Sequence, residues 1–242
     1  MSFIKSMCFG IAVAVPLVMA QSASGTLTGS VTDTNGAPLA GISVSYGSVA
    51  SRPAPVVGGS LVPASVVSGS VSSDASGNFS VSGLPAGAYA LCTNSPSAPY
   101  LDLCTWRPGV TVTVPAGGSA SQVLVLERGV YLNVRVNDPS HLLPQVVDGP
   151  WAPRKLVVGV RYGSGAYQGA INIEADSAGR SYQSVIPVGV PFSLWLFSRD
   201  VALAESSGAA LAGPAATVPF QTVAGQDQSF TFTVVGPADH AQ

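Results

Sequence analysis

Charged residues are scarce in this chain of 242 residues. They make up 9 % of it, whereas a typical soluble protein has about 25 %. Lysine is nearly absent, since only Lys155 follows Lys5, and the eight arginines are scattered singly. A nucleic-acid-binding protein neutralises phosphates with clustered Lys and Arg. The composition therefore excludes nucleic acid as a partner.

The residues on which catalysis and metal binding depend are also few. Only two histidines are present, His141 in an expected loop and His240 in the C-terminal tail. The sequence has no Gly-x-Ser-x-Gly elbow and no His-Glu-x-x-His motif. Glu174 and Asp176 lie close together, but two carboxylates without an apolar pocket or a partner are a weak acid–base pair. We therefore predict a protein that is not an enzyme, with no catalytic residue, metal ion or cofactor.

Long apolar runs are missing apart from one short stretch at the N-terminus. Lys5 precedes the apolar residues Cys8–Met19, and Val18–Ala20 has the character of a cleavage site. This pattern predicts a signal peptide over residues 1–20, cleaved before Gln21. The alternative is a membrane anchor, which needs about 20 apolar residues. We expect no membrane span after cleavage, and a secreted location, extracellular or at the cell surface, with the periplasm as the alternative.

Cysteine is rare as well, and export leaves only Cys92 and Cys104, with eleven residues between them. An even pair in an oxidising compartment predicts a disulfide across a loop. A zinc site would need four clustered ligands, and redox motifs usually space their cysteines by two residues. Both alternatives fit this spacing less well.

Alternation of apolar and polar residues is the main pattern that the sequence does contain. Ile42–Tyr46 and Val110–Val114 alternate apolar residues with Ser or Thr. Val130–Asn137 alternates Val or Leu with polar residues and tyrosine, and predicts a strand with one wet face. Helical periodicity is nearly absent, so the sequence predicts an all-β fold. Outward Ser and Thr explain how a chain with 47 % hydrophobic residues stays in solution.

Three turns share the form Asp-x-x-Gly and begin at Asp33, Asp74 and Asp176. In such a turn the carboxylate accepts a backbone N–H two residues on, and glycine takes the position with positive φ. The alternative is a calcium loop, but calcium needs six to eight oxygens, and each turn offers one carboxylate. We interpret them as structural turns.

Three stretches lack sustained alternation and are predicted to be irregular. Residues 48–68 contain three prolines among small residues and are expected to be a flexible insertion between two strands. The other two are residues 139–154 and residues 200–214.

Residues 25–128 carry two longer motifs in a fixed order. The first is Gly29-Ser-Val31-x-Asp33-x-x-Gly36-x-Pro38-Leu39-x-Gly41-x-x-Val44. The second is Asp74-x-x-Gly77-x-Phe79-x-Val81-x-x-Leu84-Pro85-x-Gly87-x-Tyr89-x-Leu91. Together with the later Val110-x-Val112 and Val123-x-Val125-x-Glu127, they resemble the carboxypeptidase regulatory-like domain. That domain is a transthyretin-like (prealbumin-like) β-sandwich of seven strands, found in many secreted bacterial proteins.

The resemblance implies a module that stabilises or interacts rather than one that catalyses. Phe79, Val81, Tyr89 and Leu91 stand at alternate positions, where side chains fill the core of a sandwich. The family has none of the zinc ligands of the enzymes after which it is named, and neither does this chain. The insertion at residues 48–68 is a departure, because it is longer than the family usually has.

A second copy of the same pattern follows at an offset of 102 residues. The offset aligns five turn positions, although Ser181 stands at the place of Phe79 and Tyr182 is shifted by one. We therefore predict two consecutive Greek-key-type β-sandwiches at residues 21–128 and 129–236, followed by a tail at residues 237–242. The alternative is that an unrelated β-domain reuses such turns. The aligned pairs are Asp74 with Asp176, Gly77 with Gly179, Leu84 with Ile186, Pro85 with Pro187, and Gly87 with Gly189.

Two functions suit a non-catalytic β-protein of this kind. The first is a structural or interaction module at the cell surface that self-associates through strand edges, because unguarded edges are templates for pairing. Residues 21–28, polar and uncharged, are a candidate donated strand. The partner is an unidentified protein or polysaccharide, or a second copy in a homo-oligomer.

The alternative function is carbohydrate binding through exposed aromatic residues, since aromatic rings stack on sugar faces. The candidate stacking residues are Tyr100, Trp106, Trp151 and Tyr167. The competing interpretation is that these rings cap a core with their polar tip in water. The run Phe192–Phe197 is apolar on both faces, so Trp195 and Phe197 are expected to pack against the other domain or another subunit.

Overall fold

A computed structural model describes residues 24–49, 67–107, 109–143, 156–163, 165–211 and 215–238. Almost all of the regular structure in this part of the chain is β-strand, which confirms the predicted fold class. Within it, no helix has the length and apolar character needed to cross a membrane. The predicted signal peptide and most of the predicted insertion at residues 48–68 lie outside the described residues.

The first sandwich consists of two sheets, and most of the strand pairs in them are antiparallel. One sheet has three strands in the order β4-β1-β7, and the other has four in the order β3-β2-β5-β6. Strand β1 is central, antiparallel to β4 and parallel to β7. The elements are β1 (Gly25–Asp33), β2 (Ser43–Ser48), β3 (Ser68–Ser72), β4 (Asn78–Leu84), β5 (Gly87–Asn94), α1 (Leu103–Trp106), β6 (Val110–Val114) and β7 (Ser119–Leu126).

The predicted core of this sandwich is found where the alternation places it. Phe79, Tyr89 and Leu91 are buried, and half-buried Val81 packs against them. The Tyr89 hydroxyl donates to the carbonyl of Pro85 at 2.8 Å, in the turn between β4 and β5. This bond gives the buried hydroxyl a hydrogen-bond partner. Burial raises the pKa of Tyr89.

The second sandwich has a core of its own and two more strands than the first. Its sheets have the orders β11-β12-β8-β16-β14 and β10-β9-β13-β15. The core contains Leu132, Ile186, Leu194 and Leu196, all nearly inaccessible to solvent. The strands are β8 (Val130–Asn137), β9 (Val157–Tyr162), β10 (Ala166–Gly169), β11 (Ile171–Asp176), β12 (Gly179–Ile186), β13 (Pro191–Phe197), β14 (Val201–Glu205), β15 (Ala215–Gln221) and β16 (Gln228–Pro237).

The two sandwiches share one strand order. Strands β8, β9, β10, β12, β13, β15 and β16 occupy the places of β1 to β7, and β8 is again antiparallel to one neighbour and parallel to the other. On β12 the inward aromatic is Tyr182, while Ser181 faces outward and is half-buried. The common order supports the interpretation that the second half is a diverged copy. Strands β11 and β14 are additions that flank it.

Three expectations from the sequence are wrong in detail. Residues 200–214 are not wholly irregular, because Val201 and Leu203 turn inward and form β14 against β16. Residues 25–28 are not a free segment, since they already pair within β1 on both sides. The polar face of β8 is half-buried rather than wet, because β8 lies in the middle of a five-stranded sheet.

The three Asp-x-x-Gly turns are held by their own carboxylates. Asp33 accepts the N–H groups of Asn35 and Ala37 at 2.8 and 2.9 Å, and Asp74 does the same for Ser76 and Asn78 at 2.8 Å. The bond from Ala37 is the main reason why the pKa of Asp33 lies below its usual value. Asp176 differs: it accepts the Ala178 N–H at 2.8 Å and also pairs with an arginine of β8. These contacts are those of structural turns.

Candidate interaction surfaces

A disulfide and a short helix form the side of the first sandwich that meets the second. Cys92 on β5 is bonded to Cys104 on α1. Asp102 caps the helix, since one carboxylate oxygen accepts the N–H groups of Thr93 and Cys104, both at 3.1 Å. Its other oxygen accepts the Thr105 hydroxyl at 2.7 Å. The helix is thus fixed to β5 by a covalent bond and by this carboxylate.

Trp106 ends that helix and projects into the second sandwich. Its ring lies 5.0 Å from the ring of Tyr162 and 6.1 Å from that of Phe192, centroid to centroid. Its indole N–H donates to the carbonyl of Val185 at 3.0 Å. Trp106 was predicted as a candidate sugar-stacking residue, but its ring contacts and its donor are used at the junction of the two sandwiches.

The linker between the sandwiches is also in close contact with the first. The Gly129 N–H donates to Pro99 O at 2.7 Å, and the Leu101 N–H donates to Glu127 O at 2.9 Å. A Cβ atom at Gly129 would lie 2.4 Å from the carbonyl oxygen of Ile186. Only glycine therefore allows the chain to pass this close to the second sandwich.

An open groove of about 350 Å³ follows the junction. Tyr100 and Trp106 line it from one side, and Tyr131, Ile171 and Ile173 from the other. Tyr100 is half-buried and packs against the first core. The groove brings two of the four predicted stacking residues together, and both are half-buried.

Tyr167 lies on the far side of the second sandwich, on the outer face of the four-stranded sheet. It is 41 % exposed, and its ring meets that of Trp195 at 5.0 Å, edge to face. Trp195 and Phe197 are partly exposed on the same face, while Phe192, Leu194 and Leu196 point into the core. Among the described residues the ring partners of Trp195 and Phe197 are Tyr167 and each other, and no ring contact joins them to the first sandwich. Trp151, the fourth candidate, lies outside the described residues.

The ionisable residues considered for catalysis are engaged in structural contacts or stand at the surface. His141 is exposed in the turn after β8, where its N–H donates to Asp138 O at 3.2 Å. Asp176 receives Arg135 Nη2 at 3.1 and 3.2 Å on its two oxygens. The bond to Arg135 is the main cause that lowers the pKa of Asp176. Glu174 lies next to it, 3.4 Å from the Ser181 hydroxyl.

The edge strands of the first sandwich are unguarded. Natural edge strands usually carry charges or proline, or are very short, because their free N–H and C=O groups attract other strands. Strands β3, β4, β6 and β7 contain no charged residue and no proline. Strand β7 also presents Val123 and Val125 outward, 54 % and 46 % exposed. Within the described part of the chain, no strand pairs with its outer side.

The edge strands of the second sandwich carry the usual guards. Strand β11 contains Glu174 and Asp176, β14 contains Glu205, β15 contains Pro219, and β10 has only four residues. Moreover, β16, the counterpart of β7, lies inside its sheet between β8 and β14. Composition indicated that charge is scarce, but only the strand order shows that the scarcity is concentrated at the edges of the first sandwich.

Comparison with known proteins gives distant structural likenesses alone. No family model matches the chain, and no curated protein matches it. The chain is similar to a streptococcal ancillary pilin, at 15 % identity and a TM-score of 0.40, over 87 % of this chain and 62 % of that one. It is also similar to the TIE protein of Bacillus anthracis, at 12 % identity and a TM-score of 0.34, over 88 % and 34 %.

A third likeness is to the shaft pilin SpaA from Lactobacillus rhamnosus GG. The identity is 10 % and the TM-score 0.30, over 89 % of this chain and 99 % of that one. The chain spans about a third of the TIE protein and less than two thirds of the ancillary pilin. The function is therefore inferred from the surfaces of this molecule.

Proposed function

We propose that the protein is a non-catalytic structural module that works outside the cell and associates with further copies of itself through the β7 edge of the first sandwich. The observation that carries the proposal is the contrast between β7 and β16. The two strands occupy the same place in their sandwiches, but β14 pairs with residues 232–237 of β16, whereas no strand of the described chain pairs with the outer side of β7. The predicted signal peptide and the resemblance to the carboxypeptidase regulatory-like family agree with such a module.

The second sandwich indicates how an added strand would lie. Strand β14 runs antiparallel to β16, and antiparallel pairing is also the geometry that two copies of one strand adopt around a twofold axis. Two β7 strands would meet without charge repulsion, because Ser119–Leu126 contains no ionisable residue. Val123 and Val125 of the two copies would then form cross-strand apolar pairs, each contributing about 0.2–1 kcal/mol. A second copy is therefore the occupant that suits this edge.

The test uses one lysine on each of the two strands, at an exposed valine. Val123→Lys places a charge on β7, whereas Val235→Lys places it on β16, where valine is 57 % exposed. We expect sedimentation velocity to show a concentration-dependent dimer for the wild type and for V235K, and a monomer for V123K. A wild type that stays monomeric at high micromolar concentration would contradict the proposal, as would equal loss of association in both variants.

A further inference from the structure

A row of four side chains crosses the outer face of the second sandwich, with Arg161 on β9, Trp195 and Phe197 on β13, and Arg199 just after β13. Register places Arg161 opposite Ser193, so that Arg161, Trp195, Phe197 and Arg199 follow one another along β13. The Arg161 guanidinium carbon lies 4.8 Å from the Trp195 ring centroid. The Trp195 and Phe197 rings are parallel within 11° at 5.6 Å, and the Arg199 carbon lies 5.9 Å from the Phe197 ring. We call this row the aromatic–arginine stack.

A missing side chain helps to fix the stack. Gly159 faces Trp195 across the β9–β13 pair, and a Cβ there would lie 2.6 Å from the Tyr167 ring. The ring of Tyr167 therefore crosses over β9 at Gly159 and meets Trp195 from the side at 5.0 Å. Its hydroxyl donates to Val158 O at 3.2 Å. Trp195 is thus held between β10 and the rest of the row.

The charges of the stack are not neutralised by carboxylates of the described chain. Arg107 and Arg135 form the ion pairs found there, with Glu127 and Asp176. Arg161 and Arg199 are exposed and stack on rings instead. The four strands of this sheet contain no acidic residue, although the protein as a whole has a net charge of −2. The row therefore carries two exposed arginines, with Asp200 as the exposed acidic neighbour of Arg199 just beyond β13, and is more positive than the acidic protein as a whole.

The chemistry of the stack selects for an anion on a partly apolar carrier. A guanidinium stacked on a ring keeps the forked donors at its edge, which match carboxylate and sulfate oxygens. Its stacking also fixes the side chain in advance, so that less conformational entropy is lost on binding. The partly exposed rings of Tyr167, Trp195 and Phe197 offer apolar area beside those donors.

The position of the stack favours a polysaccharide over a peptide. An extended peptide binds to a sheet by adding to its edge, where the backbone groups are free. Strands β9 and β13 are the two inner strands of their sheet, with backbone partners on both sides. We propose that the aromatic–arginine stack binds a linear acidic polysaccharide, with the two guanidinium groups on its carboxylate or sulfate groups. This site is independent of the β7 edge and shares only Tyr167 with the stacking residues predicted from the sequence.

Affinity electrophoresis of the full chain tests the proposal. The gels contain polygalacturonate, dextran sulfate, neutral dextran or polyglutamate. Each is run at low salt and at 0.5 M salt, where the Debye length of about 4 Å screens exposed charges. We expect retardation by one or both acidic polysaccharides at low salt, and none by dextran or polyglutamate. Retardation by polygalacturonate alone assigns uronic acids, and by dextran sulfate alone assigns sulfated sugars. No retardation by either, or equal retardation by polyglutamate, would overturn the proposal.

Four variants separate the stack from general charge. Arg161→Gln and Arg199→Gln each remove one charged donor and are expected to weaken binding about tenfold, the loss typical of a charged hydrogen bond. Arg161→Lys keeps the charge but not the planar fork, and is also expected to weaken binding. Arg128→Gln, at an exposed arginine outside the sheet, is the matched control and is expected to bind as the wild type does. Wild-type binding by R161K, or equal weakening by R128Q, would contradict a role for the stack.

Discussion

The two sandwiches of this protein have one strand order and different surfaces. The first has four uncharged edge strands and, on its four-stranded sheet, an outer face mostly of Ser, Thr and Ala, and the sheet around β1 has only three strands. The second adds β11 and β14, has edge strands that contain charge or proline or are only four residues long, and carries aromatic and arginine side chains on one face. The two sandwiches thus have the same strand order and similar cores, while their edge strands and outer faces determine what each sandwich can contact.

The difference also has a physical logic within one chain. An unguarded edge makes backbone hydrogen bonds with little regard for side chains, whereas a stack of fixed guanidinium groups recognises charge in a defined geometry. A module with one surface of each kind can pair with its own copies by the first and hold a different molecule by the second.

The largest expected effect is the loss of a buried side chain from the core of the first sandwich. Phe79→Ala removes a buried ring from the first sandwich and is expected to lower the free energy of unfolding by about 3–5 kcal/mol. Ser80→Ala, on the outward face of the same strand, is the control and is expected to change it by less than about 0.5 kcal/mol. Urea unfolding measures both. A Phe79→Ala midpoint equal to that of the wild type would mean that the register of β4 is wrong.

The disulfide is expected to have the next largest effect. Cys92 and Cys104 close a loop with a sequence separation of 12, which on the chain-entropy model contributes about 3 kcal/mol. The second sandwich has no such bond within the described chain, so reduction should destabilise the first one selectively. Urea unfolding with and without reductant checks this expectation. A Cys92→Ala/Cys104→Ala variant that is insensitive to reductant serves as the control, and two free thiols in unreduced wild type would refute the pairing.

Trp106 is expected to couple the two halves. Trp106→Ala loses the contacts with Tyr162 and Phe192 and is expected to cost about 2 kcal/mol, less than a fully buried tryptophan. Calorimetry should then show two thermal transitions where the wild type shows one. Trp106→Phe keeps a ring but removes the donor to Val185 O, and should cost about 1 kcal/mol. If Trp106→Ala leaves a single transition, the halves are coupled by other contacts.

The smallest effect concerns a turn that only the second sandwich ties to an arginine. The lowered pKa of Asp176 stabilises the fold above the ordinary carboxyl pKa of about 3.9, and this contribution is lost as the pH falls through the folded-state value. Asp176→Asn should therefore melt slightly below the wild type near neutral pH, and the two melting temperatures should converge below about pH 4. Arg135→Gln should show the same convergence. Parallel curves at every pH would contradict this account.

Alternation predicted the cores because it depends on neighbouring residues alone. Phe79, Tyr89 and Leu91 were predicted from their spacing, and the turn motif indicated the second copy. Strand β14 was missed because its sequence, Val-Ala-Leu-Ala-Glu, has no turn signal and small residues where β-branched ones are usual. The junction contacts of Trp106 could not be predicted, because its ring partners lie 56 or more residues away along the chain.

The β7 edge and the aromatic–arginine stack could not be predicted from the sequence, for a different reason. Whether β7 is an edge depends on the strand order, which no local pattern contains. The stack joins Arg161 to Trp195 through the register of β9 with β13, and one residue of slip would place the two side chains on opposite faces. The apolar character of Trp195 and Phe197 on the outer face was visible in the sequence, but their arginine partners were not.

Amide hydrogen exchange at low and high protein concentration tests the central claim most directly. If two copies pair through β7, amides in Ser119–Leu126 that face the open edge gain protection as concentration rises. Amides of β16 at residues 232–237 that face β14 do not change, because that stretch already has a strand partner there. Protection of β7 that is independent of concentration, or a gain confined to the second sandwich, would contradict the account.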